Sequence, residues 1–146
     1  MLTRIISSSS MMFRTLIFVT LIFWWSLVFW TSGEGASSDW TKRLLQDWLG
    51  LHGAVLEVVN YIVRKTAHVV YYFILSILLL NVLSWTKLHL SKIVPVCFVL
   101  AFLTSVFDEY RQSLTESRSG TSIDLIYDLI GILFAIYIYV KASGRK

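Results

Sequence analysis

Four apolar runs, at residues 13–30, 66–85, 93–110 and 123–140, decide what this chain can fold into. A helix needs roughly 20 residues to cross about 30 Å of hydrocarbon, and each run approaches or meets that length. Between them polarity is confined to short stretches. With 56% hydrophobic residues, 15% charged residues and a mean hydropathy of +0.69, a chain of 146 residues has too few polar positions to clothe a soluble core. The expected fold class is therefore all-α: one membrane domain spanning residues 1–146 with four transmembrane helices. The three later runs are joined by short links and must be antiparallel neighbours.

The flanks support these bounds. Arg14 can snorkel at the start of the first run, and Trp30 stands where interfacial indoles are favoured. Three tryptophans and the length of that run argue for a retained anchor rather than a cleaved signal peptide. Pro95 falls in the first turn of the third run, where its missing N–H costs least. Cys97 is the single cysteine and lies inside an apolar run, so it reads as a small core residue and no internal disulfide can form.

Residues 39–63 are too charged to cross. Trp40, Leu44, Leu45, Trp48, Val55, Val59 and Ile62 nevertheless recur mostly at intervals of three or four. This predicts an amphipathic interfacial segment, either one helix or two meeting near Gly50 and Gly53, with Asp39 as N-cap. It serves equally as a lid on the bundle or a surface anchor.

Three ionisable clusters sit at the ends of the apolar runs: Arg64, Lys65 and His68; Asp108, Glu109 and Gln112; and Arg118 with Asp124 and Asp128. Alternating spans bring all three to one membrane face. Ionisable groups are expensive at the edge of hydrocarbon, so their gathering marks a functional site. Arg64 and His68 are four apart, as are Asp108 and Gln112, and Asp124 and Asp128, so each pair shares a helical face. Asp128 lies deep enough to need a partner, and Arg118, Arg64 and Lys65 are the available cations. Gly131, one turn below Asp128, would let a second helix approach closely. Tyr71 and Tyr72 read as interfacial aromatics.

Counting lysine and arginine in the loops decides little, seven against six, with the N-terminus inside. Setting aside Arg64, Lys65, Arg111 and Arg118, which lie within the cluster stretches, leaves seven against two. Both termini are then cytoplasmic and the clusters face outward. The formal charge of +4 fits basic loops at anionic headgroups, and no basic stretch is long enough to track a nucleic acid.

The ordered series Arg64-Lys65-Thr66-Ala67-His68 to Tyr72, Asp108-Glu109-x-x-Gln112, then Arg118, Asp124, Asp128 and Gly131 resembles the VanZ-like integral membrane proteins over residues 61–137. The resemblance implies a small multi-pass protein of the bacterial cell membrane and envelope, whose namesake is associated with teicoplanin resistance, and it implies no enzyme class. The chain departs from the family pattern at Tyr71, where an acidic residue is frequent, and at residues 113–117, which lack a proline found before the arginine.

Three functions remain open on this reading. In one, Arg64, Lys65, Gln112, Arg118, Asp124 and Asp128 bind a lipid-linked cell-wall precursor or a lipidated glycopeptide, with apolar walls taking the acyl part. In another, a hydrolase or transferase uses His68 as general acid or base, with Asp108, Glu109 or Asp124 orienting it or holding a divalent cation. In the third, the cluster locks the helices together and the protein acts by pairing with another membrane protein. No serine or cysteine nucleophile motif is visible, and no metal or other cofactor is assigned from the residues alone.

Overall fold

The computed structural model describes residues 2–31, 38–86, 88–114 and 123–143. These form five helices with no strand among the described residues: α1 (Leu2–Thr31), α2 (Ser38–Leu49), α3 (Gly53–Leu83), α4 (Leu90–Ser113) and α5 (Asp124–Ser143). Four of them carry spans long and apolar enough to cross a membrane: Met11–Thr31, Gly53–Leu83, Leu90–Ser113 and Asp124–Ser143.

The distribution of polarity is the inverse of a water-soluble protein. Phe13, Leu16 and Phe23 of α1, Val99, Leu103 and Phe107 of α4, and Ile130, Leu133 and Phe134 of α5 are exposed. Ser76, Thr104, Ser105, Asp108, Glu109, Gln112, Asp124 and Asp128 are buried. Water would not tolerate so continuous an apolar surface, whereas lipid tails match it.

At 1.5 Å per residue the 31 residues of α3 extend about 46 Å, well beyond the hydrocarbon thickness. Residues 53–63 therefore do not lie flat as part of a separate interfacial helix. They form the N-terminal part of α3, which is continuous from Gly53 to Leu83. The break comes earlier, at residues 50–52, bracketed by Gly50 (φ +62°) and Gly53 (φ +59°). Both need the left-handed conformation that glycine adopts without steric penalty. The Gly50 N–H donates to the Gln46 carbonyl at 2.9 Å and closes α2. Asp39 lies in the first turn of α2, where the helix dipole favours an acid.

The α3 helix is the hub. Its N-terminal half meets α2 and its length runs along α1, α4 and α5. Against α5 the approach is closest at Gly131, where a built Cβ would stand 2.3 Å from the Val69 carbonyl oxygen and 3.0 Å from the Phe73 amide nitrogen. Against α4, Cys97 and Ala101 are fully buried, and the Cys97 thiol is directed at the Ser76 carbonyl oxygen at 3.6 Å. Against α1, the Trp24 indole donates to the Tyr71 carbonyl at 3.0 Å, with the two rings edge to face at 5.8 Å. At the opposite end of the bundle the Arg14 guanidinium lies 5.9 Å from the Trp85 ring centroid. The α4 helix begins at Leu90, three residues before the apolar run, so Pro95 sits in the second turn rather than the first.

Candidate functional site

Helical spacing puts Ser105, Asp108, Glu109 and Gln112 on one face of α4, and all four are buried. That face meets Arg64, Lys65 and His68 of α3 and Asp124 and Asp128 of α5 at one end of the bundle. The centre of the cluster is His68, whose Nδ1 lies 2.9 Å from Oδ1 of Asp128. The Ser105 hydroxyl donates to the other Asp128 oxygen, Oδ2, at 2.6 Å. Asp128 is fully buried, and its two oxygens thus bridge α3 and α4.

This differs from the cationic partner expected for Asp128. Lys65 instead pairs with Asp124, one turn nearer the membrane surface. Its ammonium also lies 5.1 Å from the Tyr61 ring centroid and 5.6 Å from that of Tyr127. The two hydroxyls of these tyrosines approach to 3.3 Å. Caged by a carboxylate and two aromatic faces, Lys65 joins α3 to α5. Arg118 lies outside the described residues.

Gln112 donates through Nε2 to Asp108 Oδ2 at 3.1 Å, the i to i+4 contact that their spacing predicted. Tyr72 is only 1% exposed, so it is a core residue rather than an interfacial one, and its hydroxyl lies beside Asp108. Glu109 lies within electrostatic reach of His68, Asp108, Asp124 and Asp128. Its Oε1 is buried and has no hydrogen-bond partner among the described residues.

A cavity of about 280 Å³ opens beside this cluster. Trp40, Thr41, Leu44 and Leu45 of α2 wall one side of it, and Arg64, His68, Asp108 and Gln112 supply the polar side. The α2 helix is pinned over it by the Lys42–Glu57 ion pair at 2.7 Å. Of the residues expected at the site, Arg64, His68, Asp108 and Gln112 line the cavity; Glu109 and Asp128 cluster with His68; Lys65 and Asp124 pair with each other. Chemically, the imidazole is held in a fixed orientation by a buried carboxylate, which suits it to exchange a proton or to hold a ligand.

Three participants were not legible as such. Ser105 carries no motif, although it is three residues before Asp108 and four before Glu109 and so shares their face. Tyr72 shares a face with His68, yet a tyrosine near the end of a span suits the interface equally well. Arg111 donates through Nη1 to the Phe29 carbonyl at 2.8 Å and lies over the Phe29 ring, which clamps the ends of α1 and α4.

No curated protein and no solved structure matches the chain at a significant level. The model of one protein family, VanZ/LLP1, matches residues 15–143. That match takes in every described residue of the cluster, and the chain belongs to the VanZ/LLP1 family as a helical membrane protein.

Proposed function

We propose that the protein binds an amphiphile of the bacterial envelope, a lipid-linked cell-wall intermediate or a lipidated glycopeptide, in the cavity beneath α2. The observation that carries this reading is the composition of the cavity wall. Trp40, Leu44, Leu45 and Val63 offer apolar contact, while Arg64, His68, Asp108 and Gln112 converge on the other side. An amphiphile with a polar head and an acyl or prenyl chain satisfies both walls at once, and a volume of about 280 Å³ takes a headgroup and the first part of a chain. On this reading α2 is a lid, both termini are cytoplasmic, the cavity faces the outer side of the cell membrane, and occupancy alters susceptibility to glycopeptides such as teicoplanin. Arg64 provides the charge for an anionic head, and Gln112 and His68 provide hydrogen bonds.

The test is direct binding of fluorescent lipid-linked phosphates and of teicoplanin to the purified protein in micelles, alongside susceptibility of cells expressing it. Arg64→Ala and Trp40→Ala are expected to weaken binding and the susceptibility effect together. Undiminished binding by both variants, with the fold intact, would refute the reading.

One observation favours an alternative in which the protein is a hydrolase or transferase on such a lipid. Asp128 orients His68 as carboxylates orient general-base imidazoles, with Ser105 fixing the carboxylate in turn. Turnover of a lipid-linked phosphate or pyrophosphate, abolished by His68→Gln while ligand binding persists, would establish that activity. Binding without turnover leaves the protein a receptor.

A further inference from the structure

The acid-rich face of the cluster has not been accounted for by the amphiphile. Four carboxyl groups, on Asp108, Glu109, Asp124 and Asp128, are buried within it. Among the described residues they face the Lys65 ammonium, the His68 imidazole and the Arg64 guanidinium at the cavity edge. Lys65 is engaged by Asp124 and His68 by Asp128, whereas no ion pair of Glu109 is present among the described residues. Burying ionised carboxylates without compensation is costly, and they are normally neutralised by pairing or by a metal.

The geometry within the group is specific. An imidazole nitrogen of His68, a carboxylate oxygen of Glu109 and a carboxylate oxygen of Asp128 lie within 4.8 Å of one another. Ligand atoms around one octahedral ion, at about 2.1 Å from the metal, stand about 3.0 Å apart at adjacent positions and about 4.2 Å apart at opposite ones. His68 Nδ1 and Asp128 Oδ1, now 2.9 Å apart across a hydrogen bond, would stand as an adjacent pair once an ion displaced the shared proton. The Glu109 oxygen lies within 4.8 Å of both.

Two independent features point to an ion at this place. The first is Glu109 itself, more than nine-tenths buried, with Oε1 lacking any hydrogen-bond partner among the described residues. A buried carboxylate oxygen left without a donor is unusual in native structures and invites a cation. The second is Ser105, whose hydroxyl holds the Asp128 oxygen that His68 does not contact. Hydrogen bonds of this kind orient ligating carboxylates at metal centres.

We propose that His68, Glu109 and Asp128 bind one divalent transition-metal ion beside the cavity that His68 lines. One imidazole and two carboxylates suit Zn²⁺ or Mn²⁺ better than the all-oxygen shells of Ca²⁺ and Mg²⁺. The cavity gives the ion a path of entry and leaves room for an exchangeable ligand. The site stands on these three side chains and does not depend on which amphiphile enters.

The experiment uses the full chain, purified in micelles and stripped with a chelator. Zn²⁺ binding is followed by calorimetry, and Mn²⁺ binding by electron paramagnetic resonance. The expected result is one ion per chain, with an imidazole nitrogen coupling on bound Mn²⁺ that originates from His68. Glu109→Gln, nearly isosteric, should weaken binding at least tenfold, and Ser105→Ala should weaken it about tenfold. Arg14→Gln, at the opposite end of the bundle, should leave it unchanged. Failure of the stripped wild-type chain to bind either ion, or bound Mn²⁺ with no nitrogen coupling, would overturn the proposal without recourse to any variant. Equal binding by folded Glu109→Gln and wild type would do the same. Lipid binding is measured in parallel: its loss with metal binding intact counts against the amphiphile reading alone.

Discussion

Gly131→Ala tests the packing on which the site depends. A Cβ at that position would stand 2.3 Å from the Val69 carbonyl oxygen, whereas real Cβ contacts essentially never fall below 3.0 Å. The obstacle is backbone and cannot rotate away, so α3 and α5 must part locally by about 0.7 Å or more. Two effects oppose one another. Replacing glycine by alanine in a helix gains up to about 1 kcal/mol from propensity, and forcing extra volume into a packed interface costs about 1–3 kcal/mol and occasionally more. Backbone overlap puts this case at the upper end of that range, so the net expectation is a loss of about 2 kcal/mol. The location sharpens the prediction. Val69 follows His68, and Gly131 lies three residues after Asp128, so parting the helices here also stretches the 2.9 Å contact between His68 and Asp128. Thermal unfolding of the variant in micelles, followed by circular dichroism, should show a clear drop in midpoint, accompanied by weaker ligand binding. An unchanged midpoint would mean that α3 and α5 are not in backbone contact at this turn, and the assembly of the site would have to be rebuilt.

Other substitutions separate the contributions of single contacts. Asp128→Ala leaves His68 and Ser105 without their shared acceptor in a buried setting and should destabilise by about 3 kcal/mol, measured by the same thermal assay. Lys65→Met keeps the apolar stem but strands Asp124, so it should cost about 1–3 kcal/mol, and the double variant with Asp124→Asn should recover part of that loss. Trp24→Phe removes one indole hydrogen bond to the Tyr71 carbonyl and should weaken docking of α1 by about 1 kcal/mol, seen as a small drop in the midpoint of the same thermal assay.

Much of this arrangement was legible in the residues because the bilayer fixes so much. Hydrocarbon thickness set the lengths of the four spans, and alternation of direction carried Arg64, His68, Asp108 and Asp124 to one end without knowledge of any contact. Spacing of four also found the Asp108–Gln112 bond, and the absence of a side chain at Gly131 foretold close approach. What remained hidden depends on rotation of one helix about its axis relative to another. Charge alone suggested Arg118, Arg64 or Lys65 for Asp128, yet azimuth turned Asp128 toward His68 and Ser105 and turned Lys65 toward Asp124. Tyr72 was misplaced for the same reason, since a tyrosine near a membrane surface suits an interface as well as a buried carboxylate. The junction near residue 63 was invisible too: an amphipathic pattern passing into a wholly apolar one keeps the same 3.6-residue period, so nothing local marked α3 as continuous.

The placement of polar groups inside and apolar groups outside has a consequence for how this protein can be dissected. In water, burial of apolar surface would hold the helices together and leave polar residues free for function. In lipid the tails compete with leucine and valine on equal terms, so association falls to close packing and to hydrogen bonds between helices. Here three of the interhelical bonds belong to the site: His68 to Asp128, Ser105 to Asp128 and Lys65 to Asp124. His68 therefore both helps to hold the bundle and lines the cavity, and truncating it removes both. Only replacements that keep shape while changing charge or proton capacity can divide the two roles, which makes Glu109→Gln more informative than any alanine substitution. The buried Oε1 of Glu109 has no hydrogen-bond partner among the described residues. A bundle that needed this carboxylate only for cohesion would have given it a donor.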